Sequence, residues 1–178
     1  MWRSPEAFRD LVSALDARTE ARELLSIPHK KYLLDALTLA ELSRHVIVDR
    51  IRLQEPKGQW PDGYIDIGGR ERNVEVTIAD LPGRRRGDEY RDLVGTAVER
   101  YPPEDWNKRA EAIWEALDRA IRSKAAKRYS SPFILVVDLN FGVYGIRQAE
   151  IEQTIRSIKG RYQEDFEQIH VLWNGKVI

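Results

Sequence analysis

Residues 59–80 read QWPDGYIDIGGRERNVEVTIAD and carry the pattern of a β-hairpin. Apolar and polar residues alternate over residues 64–67 and again over 74–78, which is the period of a half-buried strand. Gly68-Gly69 supplies the turn between the two strands. Because successive side chains of a strand point to opposite faces, one face of the hairpin is expected to join a core and the other to present oxygen ligands.

A short polar motif lies on this hairpin. Pro61 and Asp62 stand at the head of the first strand, and Glu75, Val76 and Thr77 lie on the second. This order resembles the PD-(D/E)xK phosphodiesterases, which have the restriction-endonuclease-like fold. Their motif is Pro-Asp, a spacer with a turn, then Asp or Glu, any residue and Lys. Thr77 stands where that family has the lysine, and the lysine is thought to position or activate the attacking water.

Composition limits the class of protein. A chain of 178 residues predicts one domain, and 42% hydrophobic with 33% charged residues is the balance of an ordinary soluble protein. No apolar run is long enough to cross a bilayer, and the first residues lack the apolar core of a signal peptide. The sequence contains no cysteine, so the chain forms no disulfide and builds no thiolate metal site. These features predict a cytoplasmic protein that does not enter a membrane.

The rest of the chain predicts helices and strands around the hairpin. In order they are a helix over 5–25, a helix ending near 46, a strand over 47–53, the hairpin, a helix over 104–128, a strand over 133–139, a helix over 148–158 and a strand over 169–173. The run at 133–139 is apolar throughout, as in a strand buried on both faces, and its position after a long helix implies parallel pairing.

This order of elements matches the α/β restriction-endonuclease-like fold, in which helices flank a mixed central sheet. The resemblance covers roughly residues 30–140, which we interpret as the core of a single nuclease-like domain over 1–178. Residues 1–28 then form an N-terminal helical extension, and 141–178 form an appended helix and strand.

Glu41 lies in the apolar stripe of the second predicted helix, between Leu34 and Leu37 on the helical wheel. Two interpretations stay open. The stem of the side chain packs at the edge of the stripe while the carboxylate reaches water, or the carboxylate points inward. The resemblance implies the second, because the first core helix of that family often contributes an acid to the metal site. His45 is expected to form an ordinary (i, i+4) pair with Glu41.

The resemblance implies a metal site formed by Glu41, Asp62 and Glu75. Asp66 competes with Asp62 for this role, because both have the same parity on their strand. An all-oxygen ligand set favours Mg²⁺ or Mn²⁺, whereas zinc prefers cysteines or clustered histidines. Such a site is suited to phosphodiester hydrolysis, in which a cation activates water and stabilises charge on the phosphate.

Lys124 is the candidate to replace the missing motif lysine. It continues the apolar stripe of Leu117 and Ile121 on the long helix, and some members of the family supply their lysine from that helix. We therefore expect its ammonium to approach Glu75. The alternative is a lysine at a helix end whose ammonium reaches water. The predicted catalytic set is Asp62, Glu75, Thr77 and Lys124.

Basic residues at two places are predicted to contact nucleic acid. Arg84, Arg85 and Arg86 follow the hairpin, and Arg128 ends the long helix. Arginine binds phosphate bidentately, although a solvated turn with neighbouring acids explains the triple arginine at least as well. Since the formal net charge is zero, nucleic acid has to be bound by such local patches. The favoured substrate is DNA, and the oligomeric state stays open, with a homodimer as one option.

Two other functions remain open. A nuclease-like domain that binds protein or nucleic acid without cleaving it fits Thr77 and the zero net charge. Three inward-pointing acids argue against it, since uncompensated carboxylates are costly to bury. The third option is an ordinary α/β interaction domain in which the motif is coincidental. The sequence has no glycine-rich phosphate loop and no Gly-x-Ser-x-Gly elbow, which disfavours nucleoside-triphosphate and hydrolase-triad chemistry.

Overall fold

The computed structural model describes residues 1–19, 31–54, 60–80, 103–140 and 147–178. The helices in these ranges are α1 (Pro5–Asp16), α2 (Lys31–Leu42), α3 (Pro103–Ala125) and α4 (Gln148–Arg161). The strands are β1 (Arg50–Leu53), β2 (Gly63–Ile67), β3 (Arg70–Ala79), β4 (Phe133–Leu139), β5 (Gln168–Trp173) and β6 (Lys176–Val177). They form one mixed sheet in the order β1-β2-β3-β4-β5-β6. The α/β class is confirmed, and the restriction-endonuclease-like arrangement stays a prediction.

The chain divides into two compact units within β3. Among the residues that the structure describes, the first unit holds those up to Val76 and the second those from Thr77 onward. The prediction of one domain over 1–178 stays a prediction. In the described stretches, no helix is long and apolar enough to cross a membrane.

The first unit contains the predicted hairpin. Ile67 pairs with Arg70 across Gly68 and Gly69, whose φ angles are 60° and 76°. Two left-handed residues are what a type I′ turn requires, and glycine adopts them without a steric cost. β1 extends the sheet, since it pairs antiparallel with β2. The register brings four residues together on the apolar face of this sheet, each at most 2% exposed: Ile51, Ile65, Val74 and Val76.

Both helices of the first unit end earlier than the sequence predicted. α1 begins as expected, because the hydroxyl of Ser4 accepts a hydrogen bond from the backbone N–H of Ala7 at 3.3 Å. It ends at Asp16 and not near residue 25, since the hydroxyl of Thr19 donates to the carbonyl of Leu15 at 2.9 Å in a tightened last turn. α2 ends at Leu42 and not near 46, where residues 43–46 form turns.

The second unit is built around β4, which has the predicted bounds and is buried along almost its whole length. β4 pairs in parallel with β5, with Val136 opposite His170. The predicted parallel pairing of β4 with the strand before α3 stays a prediction. α3 ends at Ala125 and not at the predicted residue 128. Arg128 has a φ of 46°, and this left-handed conformation cannot continue an α-helix.

His170 gives the second unit a predicted dependence on pH. Burial first, and the positive charge of Lys159 second, lower the pKa of His170 to about 4. The neutral imidazole is thus favoured in the folded protein, and its stabilising contribution is present above the ordinary histidine pKa of about 6.5. This contribution is expected to be lost as the pH falls from about 6.5 through 4.

Proton NMR titration of the imidazole checks this directly, and urea unfolding at pH 7 and pH 4.5 checks the linked loss of stability. His170→Gln is the control, because the amide has a similar shape and does not titrate. The variant should lose less stability between the two pH values than the parent. An imidazole of His170 that titrates near pH 6.5 would contradict the expectation.

Candidate metal and nucleic-acid site

The polar face of the sheet in the first unit consists of three rows of side chains. The rows arise because directly opposed residues of antiparallel strands point to the same side. The first row is Arg50, Asp66 and Glu71, and the second is Arg52, Tyr64 and Asn73. Continuing the register by one pair gives the third row, Gln54, Asp62 and Glu75.

Asp62 and Glu75 are neighbours in the last row. Gly63 pairs with Val74, so Asp62, one residue earlier, lies beside Glu75, one residue later. The carboxylate of Asp62 accepts a hydrogen bond from the backbone N–H of Val76 at 2.8 Å, which fixes it against β3. Glu75 is only 4% exposed. The register therefore makes Asp62 and Glu75 neighbours on one sheet face.

Glu41 lies in the last turn of α2 with its side chain 40% exposed. Its two oxygens contact Arg44 Nε at 3.2 Å and His45 Nε2 at 3.0 Å, so the predicted pair with His45 is confirmed. Among the side chains that the structure describes, no three of His, Cys, Asp or Glu form a group that could hold a metal ion. The role of Glu41 as a third ligand, beside Asp62 and Glu75, stays a prediction.

Asp66, the rival of Asp62, has a different environment. It is 3% exposed, and Arg50 donates to its Oδ2 from Nε at 3.2 Å and again from a terminal nitrogen. The guanidinium balances the carboxylate charge and would repel a second cation nearby. This ion pair favours Asp62 as the metal-binding carboxylate of β2.

The remaining predicted residues are distributed as follows. Thr77 is half-buried in β3, two residues after Glu75 and therefore on the same face of the strand. Lys124 is half-buried in the last turn of α3, and Arg128 is exposed beyond the end of that helix. Their catalytic and binding roles stay predictions. Arg84, Arg85 and Arg86 lie outside the described residues.

The role of Lys124 is testable by substitution. Thr77 cannot supply a positive charge, so an active site on this hairpin needs a cation from another residue. Lys124→Ala is expected to lower metal-dependent cleavage about a hundredfold, the scale of losing one charge-stabilising donor. Single-turnover cleavage of labelled DNA measures this effect. Lys127→Ala is the control, because Lys127 is exposed just beyond the end of α3. Equal cleavage rates for Lys124→Ala and Lys127→Ala would show that Lys124 has no catalytic role.

One buried acid in the second unit was missed at the sequence level. Asp118 is 8% exposed and accepts a hydrogen bond from the hydroxyl of Tyr162 at 2.9 Å, beside Arg161 at 3.1 Å. Burial and then this hydrogen bond raise the pKa of Tyr162. The helical wheel held little signal, because Asp118 lies about 40° beyond Trp114, on the side away from Ile121. The cluster ties α3 to the end of α4, where Arg161 pairs with the carboxylate of Asp118.

Comparison with known proteins does not assign the chain to a family. It matches no family model, no curated protein and no solved structure. The interpretation of the site therefore rests on its own residues.

Proposed function

We propose that this chain is a metal-dependent nuclease, which hydrolyses phosphodiester bonds of nucleic acid on a restriction-endonuclease-like fold. The observation that carries the proposal is the pairing of Asp62 with Glu75. The hairpin register makes them neighbours on one sheet face, the backbone of Val76 orients the first, and burial confines the second.

The two carboxylates fit a small hard cation. Mg²⁺ is commonly held by one or two protein carboxylates together with waters and substrate phosphates, so a third protein ligand is not required. An oxygen-only pair also suits Mn²⁺ better than zinc. When bound, the ion supplies Lewis-acid stabilisation of the phosphate and a lowered pKa for the attacking water. Asp62 and Glu75 would hold the ion, and the carboxylate of Glu75 is largely shielded from bulk water.

A second candidate function is a nuclease-like domain that binds nucleic acid without cleaving it. One observation favours it: Thr77 stands where the resembled family has its motif lysine. Both functions use the same polar face, so they differ in chemistry and not in where the ligand binds.

A cleavage assay with matched variants separates the two functions. The purified chain is incubated with end-labelled DNA and RNA in Mg²⁺, in Mn²⁺ and in EDTA. The nuclease predicts metal-dependent products, and Asp62→Asn should lower their rate at least about a hundredfold while preserving the fold, because the amide oxygen still accepts from Val76. Asp10→Asn, on the exposed side of α1, is the control. Binding with no products in either metal would support the second function and reject the first.

A further inference from the structure

An arginine lies between two aromatic rings on the same polar face. The guanidinium carbon of Arg52 is 4.0 Å from the ring centre of Tyr64 and 5.0 Å from that of Trp2. The guanidinium of Arg50 lies 5.3 Å from the Trp2 ring centre. The rings of Trp2 and Tyr64 are 6.5 Å apart and inclined by 62°. We call the side chains of Trp2, Arg50, Arg52 and Tyr64 the stacking cluster. Arg52 and Tyr64 lie in the row next to Asp62, and Arg50 lies in the row beyond it.

The backbone holds Trp2 in this cluster. Arg3 and Ile51 exchange two hydrogen bonds, of 3.0 and 2.9 Å, so the segment at residues 1–3 pairs antiparallel with β1. Ile51 belongs to the apolar face, and Trp2, next to Arg3, projects over Arg50 and Arg52 on the polar face. The ring is therefore positioned by pairing at the edge of the sheet.

Both arginines of the cluster form ion pairs, Arg50 with Asp66 and Arg52 with Glu71, and both stay partly exposed. The side chains of Arg50 and Arg52 are 55% and 33% exposed. Arg52 Nε and Asp66 Oδ1 are buried and have no hydrogen-bond partner within the ranges that the structure covers.

We propose that Trp2, Arg50, Arg52 and Tyr64 form a subsite for single-stranded nucleic acid. Unpaired bases stack on aromatic rings and on guanidinium planes, whereas the bases of a duplex are hidden in their own stack. Arginine also binds phosphate, which matches the positive groups of the cluster. The inference rests on the proposed function for the class of ligand.

The position of the subsite relates it to the carboxylate pair. Asp62 directly precedes β2 and Tyr64 is its second residue, so the two lie about 6.6 Å apart along the strand direction. A single-stranded nucleic acid held by the stacking cluster would continue past Asp62 and Glu75. The subsite therefore orients the substrate and favours a single-stranded segment next to the bond that is cut.

Fluorescence anisotropy in EDTA tests the subsite without cleavage. The probes are a labelled twelve-nucleotide oligothymidylate and a labelled duplex of the same length. The parent should bind the single strand at least about tenfold more tightly than the duplex, and Trp2→Ala should weaken single-strand binding about fivefold to a hundredfold, the range for losing one stacked base. Trp2→Phe should restore most of the affinity, because it keeps an aromatic face.

Trp114→Ala is the matched control, because Trp114 is 43% exposed and carries Arg161 over its ring at 5.3 Å in the second unit. It should bind the single strand as the parent does. The proposal is overturned if the parent does not bind the single strand, if the duplex binds as tightly, or if Trp2→Ala matches the parent. A chain that binds the single strand but never cuts it rejects the nuclease and keeps the subsite. A chain that cuts while Trp2→Ala binds normally rejects only the subsite.

Discussion

Replacing Glu75 by Gln is expected to lower metal-dependent cleavage by about a thousandfold or more. The amide has nearly the same shape, but it lacks the negative charge that attracts a divalent cation. The metal contributes several kcal/mol of charge stabilisation in the transition state, and each 1.4 kcal/mol is worth a factor of ten in rate. Single-turnover rates on labelled DNA, measured in saturating Mg²⁺, give the effect.

Glu71→Gln is the control for this variant. Glu71 lies on β3 with the same parity as Glu75, so it shares the face of the strand, but its side chain is 50% exposed and contacts Arg52 at 3.3 Å. It should cut within about threefold of the parent, since exposed ion pairs contribute at most about 1 kcal/mol. Cleavage by Glu75→Gln at the rate of Glu71→Gln would show that Glu75 holds no metal. Circular dichroism of both variants confirms that they are folded.

Phe8→Ala is expected to destabilise the first unit by about 3 to 5 kcal/mol. Phe8 is 2% exposed on α1, and truncating a buried phenylalanine loses its burial and leaves a cavity. α1 packs against α2 and contacts β1, so the loss affects the helices that cover this unit. The free energy of unfolding is measured by urea denaturation followed by circular dichroism.

Leu11→Ala on the same helix is the matched control. Leu11 is 38% exposed, so its truncation removes less buried surface and should cost no more than about 1 kcal/mol. A midpoint that falls equally for Phe8→Ala and Leu11→Ala would contradict the packing of α1. If the unfolding curve shows two transitions, Phe8→Ala should lower the midpoint of the transition that belongs to the first unit.

Local patterns in the sequence predicted most of the elements. The apolar run at 133–139 gave β4 its bounds, and Gly68-Gly69 located the turn of the hairpin. Helix ends were predicted less well. α1 ends at Asp16 because a side-chain hydroxyl competes for a backbone carbonyl, and α3 ends before the left-handed Arg128. Such competition depends on a few hydrogen bonds, which hydrophobic periodicity does not record.

The candidate site was predictable only in part. Strand parity placed Asp62 and Asp66 on one face of their strand, and only the register of the hairpin relates Glu75 to that face. Parity alone left Asp66 as an equal rival, since the neutralising residue is Arg50 on another strand. The contact of Trp2 with β1 was missed for the same reason. Each of these contacts joins residues far apart in sequence, so it becomes visible only when the pairing of the strands is known.

Binding of Mn²⁺ to the purified chain tests the central claim, that Asp62 and Glu75 together hold a divalent ion. Electron paramagnetic resonance of free Mn²⁺ reports the bound fraction during a titration, with no substrate and no turnover. The account predicts saturable binding by the parent, and a loss of that binding when Asp62→Asn and Glu75→Gln are combined. A parent that leaves all the Mn²⁺ free, or a double variant that binds it as the parent does, would contradict the account.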